Sequence, residues 1–219
     1  FHRLDSLPFG IYHDEAINGQ DALGILEGKL VLFFEANNGR EPLFLYGMAA
    51  ALAALGRTPF AVRVTAAVLG TLTIPATFLL GRVLFDDRVG LWSAALVAVA
   101  PWPINLSRIG LRAVSMPLVT SLGLWLWWTG RRAQRHPVVF YILGGTMLGL
   151  SLYTYTAARL VIVALVVFAL YQMWVSQEPS TRSEWTYLFL AVALATVPLA
   201  IYGATHWSAF AERSAQVSI

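Results

Sequence analysis

Six apolar blocks constrain this chain more than any other feature. They lie at 60–81, 89–106, 113–129, 138–153, 157–175 and 185–204, joined by short polar turns, and each is 16 to 22 residues long. A helix needs roughly 20 apolar residues to cross a hydrocarbon core of about 30 Å. A membrane strand would show segments of about ten residues alternating in polarity, and the blocks do not alternate. The expected fold is therefore all-α: a polytopic bundle of about six membrane helices over 60–219. Composition agrees, with 58% hydrophobic residues, 12% charged and a mean hydropathy of +0.64, where a soluble domain carries about 25% charged residues. The net charge of +3 is small and scattered, without the basic patch that binds nucleic acid. With no cysteine in the chain, disulfides, Cys zinc sites and thiol nucleophiles are excluded.

The segment before the first block reads differently. Residues 1–41 hold seven of the twelve acidic residues, with turn residues such as Asn37-Asn38-Gly39. The stretch 42–56, from Pro42 to Gly56, is apolar but only 15 residues long. As a helix it would be about 22 Å long, too short to span comfortably, and reads either as a short span or as an element lying along the membrane. Loop charge sets the sidedness. Six arginines (Arg82, Arg88, Arg131, Arg132, Arg135 and Arg182) fall after alternate blocks, against three (Arg108, Arg112 and Arg159) in the other short joints. Cytoplasmic loops carry the excess of positive charge. This places 1–59 outside as a long first external loop with an interfacial helix at 42–56, and 60–219 in the membrane. The chain starts at Phe1 without a signal peptide and ends without a terminating pattern, so a longer parent protein with an upstream span is expected.

The same parity gathers the chemically capable residues at the outer end. Asp14, Glu15, Arg40 and Glu41 share that face with Ser107-Arg108-Ile109-Gly110-Leu111-Arg112, with Tyr153-Thr154-Tyr155-Thr156, with Arg159 and with His206. Arginine forks bind phosphate, and a carboxylate can take a proton from a hydroxyl. Each residue type also has a plainer use. Arginines at helix ends snorkel to water, and an Asp-Glu pair suits the first turn of a helix. Arg108 and Arg112, four apart, share a face if their helix continues. His13 and His206 lack metal-ligand spacing. Trp125, Trp127 and Trp128 before Arg131 and Arg132 read as an interfacial aromatic belt, and the prolines Pro75, Pro101, Pro103 and Pro117 as kinks.

Four segments in this order, His13-Asp14-Glu15-Ala16, Gly39-Arg40-Glu41-Pro42-Leu43-Phe44, Ser107 to Arg112 and Tyr153 to Arg159, resemble the dolichyl-phosphate-mannose protein mannosyltransferase family. The likeness extends to its bacterial relatives, among them the aminoarabinose transferases that modify lipid A. The resemblance spans nearly the whole chain. It implies the C-type glycosyltransferase fold and a membrane enzyme of the cell membrane, multi-pass. Such an enzyme moves a sugar from a polyprenyl-phosphate donor to an acceptor hydroxyl, with inversion, on the extracytoplasmic face. The acceptor is a protein, a lipid or a glycan. By position it makes Asp14 the base and Glu15 its catalytic neighbour, and Arg40, Arg108, Arg112 and Arg159 candidates for the donor phosphate. Many relatives carry a further acid just after the second external junction. Here 109–115 has none, which leaves a divalent metal open rather than assigned. The alternative is a lipid or sugar transporter or flippase. Such proteins place ionisable groups at the midplane, often in repeated halves. No repeat is visible here, and most charges lie at block ends, with Arg63, a few residues into its block, an exception only if that helix end is buried.

Overall fold

The computed structural model describes residues 2–35, 39–176 and 179–207. Phe1 and 208–219, which bear on the expected longer parent, and the Asn37-Asn38 turn lie outside the described residues. Every apolar block is helical. The helices are α1 (His13–Leu26), α2 (Leu43–Leu55), α3 (Pro59–Leu84), α4 (Asp87–Val99), α5 (Pro101–Arg108), α6 (Ser115–Arg132), α7 (Pro137–Ser151), α8 (Ala158–Val175) and α9 (Pro179–Thr205). A single 3-10 turn at Arg112–Val114 leads into α6. Among the described residues the only extended pairing is an isolated bridge between Phe34 and Arg40.

Local chemistry sets the boundaries. Thr58 caps α3 by accepting the Ala61 N–H at 3.2 Å, with Pro59 at the first helical position, where its missing N–H costs nothing. Asp86 caps α4 through the Val89 N–H at 2.8 Å. Of the four prolines read as kinks, Pro101 and Pro103 accompany a real break. Ala100 is extended between α4 and α5, and the two helices bend by 56°. Pro75 stays inside a continuous α3, and Pro117 sits in the first turn of α6.

Among the described residues, length and composition alone qualify three helices to cross a membrane, α3, α8 and 181–205 of α9, or four if the bent α4–α5 pair is one span. This is fewer than the six expected. Helix α7 has 15 residues, about 22 Å. Helix α6 buries Ser115 and Thr120 and ends on two arginines, and packing between α3 and α7 shields that polarity. Helix α7 approaches α6 closely at Gly144, where a Cβ would lie 2.9 Å from the Trp127 backbone nitrogen, and α9 at Gly145, where a Cβ would clash with the Leu188 carbonyl oxygen. Helices in lipid associate by such close approach of small residues.

Two apolar clusters divide the core. One joins α1, α2 and α3 through Ala22, Phe44, Leu45, Met48, Ala61 and Ala66. The other joins α6 to α9 through Trp127, Leu148, Leu165, Trp185 and Leu188. Helix α2 therefore buries one face against the first cluster and exposes Leu43 and Leu55. The aromatic belt is only partly a belt. Trp127 turns inward, donating to buried Glu184 at 2.7 Å, and Arg131 pairs with the same carboxylate at 3.2 Å. Arg131 is thus tied to the core, because a buried Glu184 needs a cation beside it.

Candidate active site at the outer end of the bundle

The first turn of α1 carries adjacent carboxylates in different surroundings. Glu15 is fully buried. Its Oε1 accepts Arg63 Nε at 2.8 Å and the Gly110 N–H at 2.9 Å. Its Oε2 accepts Arg63 Nη2 at 3.1 Å and the Tyr12 N–H at 2.9 Å. Burial pushes the carboxyl up, but these hydrogen bonds and the Arg63 charge outweigh it and hold Glu15 below its ordinary value. Arg63, 1% exposed, uses its other donors on the carbonyls of Leu4 and Pro8, each at 3.0 Å, and of Gly10. All five guanidinium N–H groups are satisfied. The charge that stood out inside an apolar block is the peg around which segment 4–10 folds.

Asp14 is half-buried, and no hydrogen bond from the described residues reaches its carboxylate. The nearby cation is Arg40, whose charge the Asp14 carboxylate favours. Arg40 is buried, ion-paired with Asp21 and donating from Nη1 to Asn18 Oδ1 at 3.2 Å. Burial raises the Asp21 carboxyl and lowers Arg40, and the attraction between them does not fully offset it. Asp14, Asn18 and Asp21 recur at helical spacing on one face of α1, a pattern present in the sequence but not weighed there.

Arg108 and Arg112 do not share a helical face. Helix α5 ends at Arg108, Ile109 is extended, and Arg112 opens the 3-10 turn. Gly110 between them is held by α1, its N–H by Glu15 and its carbonyl by Asn18 Nδ2 at 2.9 Å. Arg108 turns to the carbonyls of His2 and Leu7, at 3.1 and 3.3 Å. Arg112 lies 3.4 Å from Glu41 Oε2 and 5.6 Å from the Tyr155 ring centre. The stretch 109–115 carries no acid, so the carboxylate beside Arg112 comes from Glu41. Glu41 also accepts Thr156 Oγ1 at 2.8 Å.

Arg159 stands farther round the rim. It lines a cleft of about 500 Å³ with Leu152, Thr196, Leu199, Ala200 and Trp207, and is the charged residue in an otherwise mostly apolar lining. Tyr202 on α9 donates to Glu35 at 2.7 Å and ties the stretch between α1 and α2 to that helix. The four sequence segments thus meet at one end of the bundle: Asp14 lies near Arg40, Arg40 is paired with Asp21, Arg112 is paired with Glu41, and Arg159 lines the cleft beside α9. Among the described residues no three His, Asp or Glu side chains stand together as a metal site would need.

Residues 40–202 match the family model described as dolichyl-phosphate-mannose-protein mannosyltransferase. The chain belongs to that family. No curated protein sequence matches it. Among solved structures it is similar to the crystal structure of ArnT from Cupriavidus metallidurans in the apo state. The TM-score is 0.70 at 15% identity, covering 90% of this chain and 38% of that one. The likeness supports the all-helical membrane-bundle fold and the family's C-type glycosyltransferase architecture. The chain spans well under half of that relative's length.

Proposed function

We propose that this chain forms the catalytic end of a membrane glycosyltransferase that moves a sugar from a polyprenyl-phosphate donor to an acceptor hydroxyl, with inversion, on the extracytoplasmic face. It would act in a cell membrane as a multi-pass protein, with 1–59 outside and six crossings over 60–219. One observation carries the reading. Of two adjacent carboxylates on α1, Glu15 is occupied by four hydrogen bonds, while Asp14 is half-buried beside Arg40 with none. A carboxylate left without donors keeps its lone pairs for an incoming proton.

In the proposed step Asp14 accepts the acceptor's hydroxyl proton as that oxygen bonds the anomeric carbon. The bond from that carbon to the phosphate oxygen breaks, and the electron pair leaves with polyprenyl phosphate. Arginines suit the leaving charge, which grows as the bond breaks. Arg40, Arg108, Arg112 and Arg159 are the candidates. Arg40 pairs with Asp21 and Arg112 with Glu41, and Arg159 lines a mostly apolar cleft, a lining that suits the donor's charged head and apolar tail. Glu15 acts here through position: it anchors the turn that presents Asp14.

The test is Asp14→Asn, which keeps size and removes the base. Transfer should fall about 10²–10⁴-fold with unchanged abundance in the membrane. Glu27→Gln, an exposed neighbour in the same loop, should change little. An Asp14→Asn protein that inserts normally and transfers at the wild-type rate removes the catalytic assignment.

A further inference from the structure

Asn18 is a buried polar side chain of α1 that the proposed chemistry does not use. It is 3% exposed and lies one turn after Asp14. Its amide joins two separate segments: Nδ2 donates to the Gly110 carbonyl at 2.9 Å, and Oδ1 accepts from Arg40 Nη1 at 3.2 Å. Glu15, three residues earlier, takes the Gly110 N–H at 2.9 Å. One face of α1 therefore grips both polar atoms of Gly110. The residue also lies flat against α3, where a Cβ would come 3.0 Å from the Val62 carbonyl oxygen.

The amide chemistry is specific. A carboxylate accepts from Arg40 but cannot donate to a carbonyl, and an aliphatic side chain does neither. Packing alone would be served by leucine. What the amide adds is register: Arg40 on one side and the 108–112 segment on the other are fixed against the helix that bears Asp14.

We propose that Asn18 is a positioning residue for the donor, setting Arg40 and the Arg108–Arg112 segment at a fixed place relative to Asp14. This rests on the glycosyl-transfer reading. A side chain that places phosphate ligands changes donor affinity. One that merely holds the fold changes the amount of active protein.

The experiment uses the chain in nanodiscs, with undecaprenyl phosphate as the binding probe and an undecaprenyl-phosphate sugar as donor. Asn18→Asp and Asn18→Leu should each weaken binding of the probe and raise the donor KM about tenfold, the worth of one lost hydrogen bond. The kcat should stay within about twofold, since Asp14 is untouched. Unchanged KM and probe affinity, with or without a fall in kcat, overturn the proposal. If neither variant inserts, Asn18→Ser, which keeps a short donor and acceptor, is measured instead. Failure of that variant to fold also overturns it, because Asn18 is then structural alone. A wild-type protein that neither binds the probe nor moves sugar overturns the glycosyl-transfer reading and this proposal together. Wild-type activity with indifferent Asn18 variants overturns only the positioning role.

Discussion

Replacing Arg63 with methionine should loosen the outer end of the molecule without disturbing the inner end. The side chain fills a similar apolar space but removes five hydrogen bonds: two to Glu15 and three to the carbonyls of Leu4, Pro8 and Gly10. Glu15 is left buried with only the N–H groups of Tyr12 and Gly110. Removing one partner of a buried ion pair costs about 3–5 kcal/mol. At 1.36 kcal/mol per tenfold, that is roughly 150- to 5,000-fold more opening of the segment that the pair holds. Cleavage of a locally opened segment tracks its population when reclosing is fast. Trypsin should therefore cut after Arg3 and Lys29 far faster in Arg63→Met. Cutting after Arg135, exposed at the opposite end, should be unchanged and serves as the internal control. Arg63→Lys keeps the charge with three donors rather than five and should fall between. If Arg63→Met is cut after Arg3 and Lys29 at the wild-type rate, the peg described here does not hold the segment.

Three further outcomes are expected. Because the chain has no cysteine, Lys29→Cys and Gln134→Cys should label from opposite sides with an impermeant thiol reagent, and labelling from one side would refute the parity of the helices. Glu15 is held below its ordinary value of 4.5, so its contribution to stability is present above that value and is lost as pH falls through the lower folded one. The thermal midpoint should drop in that acid window for wild type, and an equal drop in Glu15→Gln would assign it to other groups. Arg112→Ala should weaken use of a lipid-phosphate donor well beyond Arg88→Ala, an exposed arginine at the other end, with Arg112→Lys recovering only part because it lacks the fork; equal small effects would leave Arg112 an anchor.

The helices were legible because hydrophobic length carries most of the information in a membrane chain. Each apolar block became helix, and the short stretch after Pro42 became a separate 13-residue helix. The meeting of the four segments at one end follows from the parity of the turns. What stayed hidden depends on pairings between distant residues. Nothing local to Arg63 names Glu15 as its partner, 48 positions earlier. The Arg108–Arg112 spacing suggested a shared face because Gly110 gives no sign that α1 will pull it straight. The inward turn of Trp127 was hidden for the same reason, since Glu184 lies 57 positions away.

Those distances also impose an order on biogenesis. Residues 1–41 are synthesised before the later helices that hold them. Arg63 follows Glu15 by 48 residues and Gly110 follows it by 95. Thr156 follows Glu41 by 115, and Tyr202 follows Glu35 by 167. At about 5–20 residues per second, the last of these contacts waits roughly 10–30 s after Glu35 has been made. A nascent chain stopped between Arg63 and Gly110 holds Glu15 in its ion pair while the Asn18 amide still lacks the carbonyl it donates to. This end of the bundle is thus assembled in stages, helix by helix, and the contact between Glu35 and Tyr202 closes only when α9 arrives.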